Sequence, residues 1–281
     1  MNVMSEPSVL KARLYMLFKY AIYLSLLGNV YFFFREDLET SRHLFGEEVG
    51  LGQLISAFAQ FIDTFFWFVL LMMFELETFV IPDRVLKKAV VKGSLMAVRF
   101  LCYGFIVYAF YGYITKLLMS LNVTPLGSVE PCSLVHAGYS ILLNMDDYLP
   151  LTMETCRQLT APFYQVGDQL VITDHAKLMD TRGLAVVDVL NAGAWIGVVV
   201  ILEVDVWLQL KGMYEGMVLR VSTIFKVVVY GILLMAAIYW GFLGDFLDFW
   251  DAFLWIMAFV FIEMNLFKWH EHTSHPETVS T

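Results

Sequence analysis

Charge is scarce in this chain of 281 residues: Asp, Glu, Lys and Arg make up 16% of it, where a soluble domain carries about a quarter. Apolar residues reach 59% and the mean hydropathy is +0.68, so a soluble globular protein is excluded. Proline is also scarce, with 7 residues, and 16% aromatics stand against disorder and low-complexity structure. The 3 cysteines are too few for a disulfide scaffold. Basic residues are too few for a nucleic-acid surface, and the sequence has no nucleophile–base pair, zinc-protease helix signature or glycine-rich phosphate loop. It gives no reason to expect an enzyme or a bound cofactor.

What the chain does have is long apolar runs. Crossing the hydrocarbon of a bilayer takes roughly 20 residues, and six runs qualify: Leu14 to Phe34, Leu54 to Val80, Leu95 to Leu118, Leu184 to Leu208, Val221 to Leu243 and Phe249 to Phe267. All prolines, from Pro7 to Pro276, fall outside them. The runs therefore predict continuous helices rather than the broken half-helices of many transporters. The first run is too long for a cleaved signal peptide and lacks a small-residue cleavage site. The expected partner is the lipid bilayer, and the expected class is an all-α polytopic membrane protein in one domain over residues 1–281.

Orientation follows the excess of Lys and Arg on the cytoplasmic side. Arg35, Arg42, Lys116, Arg157, Lys177 and Arg182 fall on one side, together with most of the acids, and the other cations fall on the opposite side. Both termini are then expected to be cytoplasmic, in a bacterial inner membrane by default. The net charge of −9 resolves into an acid-rich outer side and a basic inner rim.

The segment 120–182 becomes an extracytoplasmic insertion. It holds Cys132 and Cys156, and two cysteines in one exported loop predict a disulfide, worth about 3 kcal/mol for a ring of this size. Cys102 reads as a small buried hydrophobe. The pair Asp146 and Asp147 reads as a solvated turn or a weak calcium ligand. The tail 268–281, with His270, Glu271, His272 and His275, lacks the supporting shell of a metal site.

An internal repeat is the strongest signal. The second run carries Gln60, Asp63, Trp67, Glu75 and Glu77; the fourth carries Asp188, Asn191, Trp195, Glu203 and Asp205; the sixth, with the residue just before it, carries Asp248, Asp251, Trp255, Glu263 and Asn265. The spacing is the same in all three. The odd runs repeat more weakly, with a cation four residues before a tyrosine: Lys19 and Tyr23, Arg99 and Tyr103, Lys226 and Tyr230. The chain thus reads as three two-helix hairpins, 14–80, 95–208 and 221–267, in a pseudo-threefold bundle with the disulfide-closed loop inserted in the second. Gly28, Gly104, Gly112, Gly193, Gly197 and Gly231 are expected at close helix contacts.

At 100° per residue, Gln60, Asp63, Trp67 and Glu75 share an arc of about 120°, while Glu77 points roughly 160° away from Glu75. An ionisable side chain in a span costs a few kcal/mol and faces the bundle interior or water. Two readings follow. In the first, Glu75, Glu203 and Glu263 line the path of a cation or proton, Asp63, Asn191 and Asp251 form an outer polar tier, and Trp67, Trp195 and Trp255 form an apolar gate. Glu77, Asp205 and Asn265 make a second acidic tier. In the second, the Glu side chains pair with Lys19, Arg99 and Lys226 as structural ties in a non-conducting sensor or a scaffold subunit, as part of a homo-oligomer or larger complex.

Overall fold

The computed structural model describes residues 6–45 and 57–259, apart from positions 87, 128, 212, 214 and 244. It is mostly helical. Helix α1 covers Glu6–Phe45, α2 Ala59–Glu75, α3 Asp83–Leu86, α4 Ala89–Leu121, α5 His175–Leu210 and α6 Gly216–Leu243. Residues 246–259 form a seventh helix, α7. Five segments are long and apolar enough to cross a membrane: Arg13–Arg42, Ala59–Thr78, Ala89–Leu121, His175–Asp205 and Gly216–Leu243. The sixth expected span, Phe249 to Phe267, lies partly outside the described residues, as do Glu263, Asn265 and the tail 268–281.

The described residues form two compact units. The smaller comprises residues 6–29 and 240–259, and the larger residues 30–239. In the smaller unit, Leu26 and Ala258 are fully buried, and Gly241 receives the Phe249 ring, which a Cβ there would meet at 3.3 Å.

In the larger unit, α4 packs against both α2 and α5. Small side chains permit the approach: Ala59 and Ala192 pack with Tyr113, flanked by Phe110 and Val189. Gly193 lies against Phe110 and Gly197 against Phe225. At Gly28, Gly104 and Gly231 a Cβ would meet nothing within 4 Å among the described residues, which show no close contact there. Helix α2 ends in a π turn, Leu76–Val80, closed by the Ile81 amide on the Leu76 carbonyl at 2.8 Å. Pro82 stops it, because a residue before proline is driven to extended backbone, and Ile81 has φ −89 and ψ 119.

The insertion departs from the all-α expectation. It folds into a five-stranded sheet of order β1-β4-β5-β2-β3, with β1 Val123–Pro125, β2 Ser140–Leu142, β3 Tyr148–Pro150, β4 Phe163–Val166 and β5 Val171–Asp174. The physical reason is that neighbouring residues of a strand serve two cores at once. Leu142 and Val171 join Met145, Tyr148 and Val166 on one face, against Leu117 and Met119 of α4. Ile141 and Ile172 join Leu151, Cys156 and Leu159 on the other. There the expected disulfide between Cys132 and Cys156 is present. Gly167 turns β4 into β5 at φ +51, a left-handed backbone that glycine adopts without strain.

The sheet feeds α5 directly. Asp174 is buried; its Oδ1 accepts the Lys177 amide at 2.9 Å, an N-cap, and its Oδ2 accepts the Thr160 hydroxyl at 3.3 Å. One carboxylate thereby starts the helix and pins the disulfide-bearing loop to it.

Candidate functional site

The frame residues meet the odd-helix cations hairpin by hairpin. In the π turn that ends α2, Glu77 accepts from Arg99 of α4, with both carboxylate oxygens 2.9 Å from Nη2. The wider π turn breaks the 100° step after Glu75, so the direction of Glu77 does not follow from α-helical spacing. Farther along the chain, the buried carboxylate of Asp205 on α5 lies 2.5 Å from Lys226 Nζ and accepts the Ser222 hydroxyl at 2.7 Å, both on α6. In each case the acid two residues after the frame Glu engages a cation of the following long helix.

Glu203 has a different environment. It stands two residues before Asp205, and among the described residues its partner is the neutral hydroxyl of Tyr103, at 3.1 Å. Tyr103 is the tyrosine that follows Arg99 in the odd-helix repeat. Glu75 lies half-buried at the last position of α2. Lys19, in the smaller unit, is buried with its ammonium 5.6 Å over the Tyr23 ring.

The middle tier is more enclosed. The Tyr113 hydroxyl donates to Asp63 at 3.4 Å, Gln60 is buried, and the rings of Trp67 and Trp195 lie 6.0 Å apart at 55°. The structure brings these two frame tryptophans together from α2 and α5. Asn191, one turn before Trp195, has a buried Oδ1 with no hydrogen-bond partner among the described residues. In the smaller unit, Asn29 donates to Asp251 at 2.8 Å, and Trp255 also hydrogen-bonds Asp251.

A third polar cluster was not predicted. Lys116 of α4, 2% exposed, donates to Asp146 in the turn between β2 and β3 and lies 3.8 Å from Asp37 of α1. Thr40 donates to the Asp146 carbonyl, and Asp37 Oδ2 accepts the Phe61 amide at 2.8 Å. The reading of Asp146 as a solvated turn residue is therefore corrected: its side chain is 10% exposed and ion-paired. Asp147 does remain exposed. Its carboxyl is held above the ordinary carboxylate range by partial burial and by Asp146 beside it.

Among the described residues no group of three or more His, Cys, Asp or Glu has the geometry of a metal site. The chemistry on offer is carboxylates in apolar helices, some neutralised by cations and some hydrogen-bonded to neutral donors. No protein family, curated protein or solved structure matches the chain.

Proposed function

We propose that this chain moves protons or another small cation across a membrane, along a path that includes Glu75, Glu203 and Glu263. One observation carries the reading. Asp205 is neutralised by Lys226, while Glu203, two residues back on the same helix, has only the Tyr103 hydroxyl among the described residues. A carboxylate in an apolar span with a neutral partner gains stability by binding a proton or cation. Glu77 and Asp205 take up Arg99 and Lys226, and the first tier is assigned to transport.

Asp63, Asn191 and Asp251 extend the path as a polar tier, and Trp67, Trp195 and Trp255 narrow it. The repeated spacing and the two pairs, Glu77 with Arg99 and Asp205 with Lys226, support the reading of three hairpins about a pseudo-threefold axis. We place the chain in a bacterial inner membrane with both termini cytoplasmic, from the bias of Lys and Arg.

A second reading, a non-conducting sensor or scaffold subunit, is favoured by a different observation. The pairs Glu77 with Arg99 and Asp205 with Lys226 tie successive hairpins, and the disulfide-closed domain offers a surface for a ligand or partner. The two readings separate on proton flux into liposomes carrying the reconstituted chain, compared between wild type and Glu203→Gln.

A further inference from the structure

Asp37, Lys116 and Asp146 lie outside the repeated frame, and their charges do not balance. The side chains of Asp37 and Lys116 are 0% and 2% exposed. Lys116 donates to Asp146 Oδ1, and its ammonium is 3.8 Å from Asp37 Oδ1, beyond hydrogen-bonding reach. Asp37 Oδ2 accepts the Phe61 amide of α2, but Oδ1 is buried with no hydrogen-bond partner among the described residues. Asp188 of α5 adds to the negative field at Lys116. On the side of the inserted domain, Asp147 and the Tyr148 phenol lie in the field of Asp146, and Thr40, on the same helix as Asp37, is neutral and donates to the Asp146 carbonyl. With both acids ionised, two carboxylates face one ammonium and one negative charge is left over.

A buried carboxylate without a counter-charge takes up a proton or a cation. A calcium-like ion needs about six or more oxygen ligands, and no such group of acids exists among the described residues. Lys116 already stands between the two carboxylates. A proton requires only one free lone pair, which Asp37 Oδ1 has.

We propose that Asp37 Oδ1 is a proton-binding site, and that its occupancy sets how firmly Lys116 holds the inserted domain through Asp146. As the Oδ1–H bond forms, an O–H bond of a hydronium ion breaks and a water molecule is released, and the set Asp37, Lys116 and Asp146 becomes neutral. Lys116 is then attracted by Asp146 alone. When the proton leaves, Asp37 competes for the same ammonium and the hold on Asp146 weakens. The site stands on α1, α4 and the inserted domain, and does not depend on a path through Glu203.

Infrared titration of the full chain in detergent tests this. The wild-type spectrum, taken as a difference against Asp37→Asn, is expected to show a protonated-carboxyl band that persists above the pH where exposed acids have ionised and is lost on further alkalinisation. Asp37→Asn should lack that band at every pH. Asp146→Asn should lack it too, because the remaining Asp37 and Lys116 form a balanced pair. Glu203→Gln should keep it, which separates this site from the transport reading. A wild type without such a band, or a wild-type-minus-Asp37→Asn difference spectrum that shows none, overturns the proposal. Should Asp37→Asn fail to fold, the wild-type titration and Asp146→Asn decide it in the same way.

Discussion

Arg99 Nη2 of α4 lies 2.9 Å from both carboxylate oxygens of Glu77, in the π turn that ends α2. In a water-poor setting, removing one partner strands the other charge, whereas removing both removes the problem. A double-mutant cycle of Glu77→Gln and Arg99→Gln, read by thermal unfolding in detergent, is expected to give a coupling of about 0.5–3 kcal/mol. Additive losses would mean that the pair is a surface contact without structural weight.

The Cys132–Cys156 bridge closes a loop with a sequence separation of 24. Its loss is expected to lower the stability of the inserted domain by about 3 kcal/mol. Thermal unfolding of Cys132→Ser checks this. Native protein should expose at most one thiol, that of buried Cys102, to a thiol reagent.

A Cβ at Gly183 of α5 would overlap the Tyr239 hydroxyl of α6. Gly183→Ala is therefore expected to cost about 1–3 kcal/mol through overpacking. Combining it with Tyr239→Phe removes the clashing atom and leaves the nearest ring carbon at 3.4 Å. The double variant should recover most of the loss, since alanine is also the better helix former. A single Gly183→Ala variant as stable as wild type would contradict this packing.

Alkaline stability carries the mark of Tyr148. Its phenol is buried, flanked by Asp146 and Asp147, and its ionisation is pushed well above the ordinary value of 10.0, first by burial and then by those carboxylates. In the unfolded chain it ionises near about 10. The stability it contributes is thus present below that pH and is lost as pH rises toward the folded value. Tyr148→Phe should flatten the alkaline limb of a stability–pH curve, although the hydrogen bond to the Met145 carbonyl at 3.2 Å is lost. An unchanged limb would assign that pH dependence to another group.

The helical framework was legible because hydrocarbon-length apolar runs leave few alternatives, and five of them recur as long apolar helices. The disulfide was legible because Cys132 and Cys156 share one loop. The sheet was not, since its strands are three or four residues long and β2 pairs in parallel with the distant β5. Lys116 counted only as a boundary charge: its partners lie 79 residues back and 30 residues on, a coincidence that only tertiary packing creates. The spacing identified Glu203 as an intramembrane acid. It could not tell that Tyr103 would be its partner, or that Lys226 would take the acid two residues further on.

Proton flux into liposomes tests the central claim most directly. Under an imposed pH gradient, vesicles carrying the wild-type chain should acidify faster than protein-free vesicles. Glu203→Gln should cut that excess severalfold while leaving the amount of folded, reconstituted protein unchanged. Wild-type vesicles no more permeable to protons or alkali cations than empty ones, or a flux indifferent to Glu203→Gln, would contradict the account.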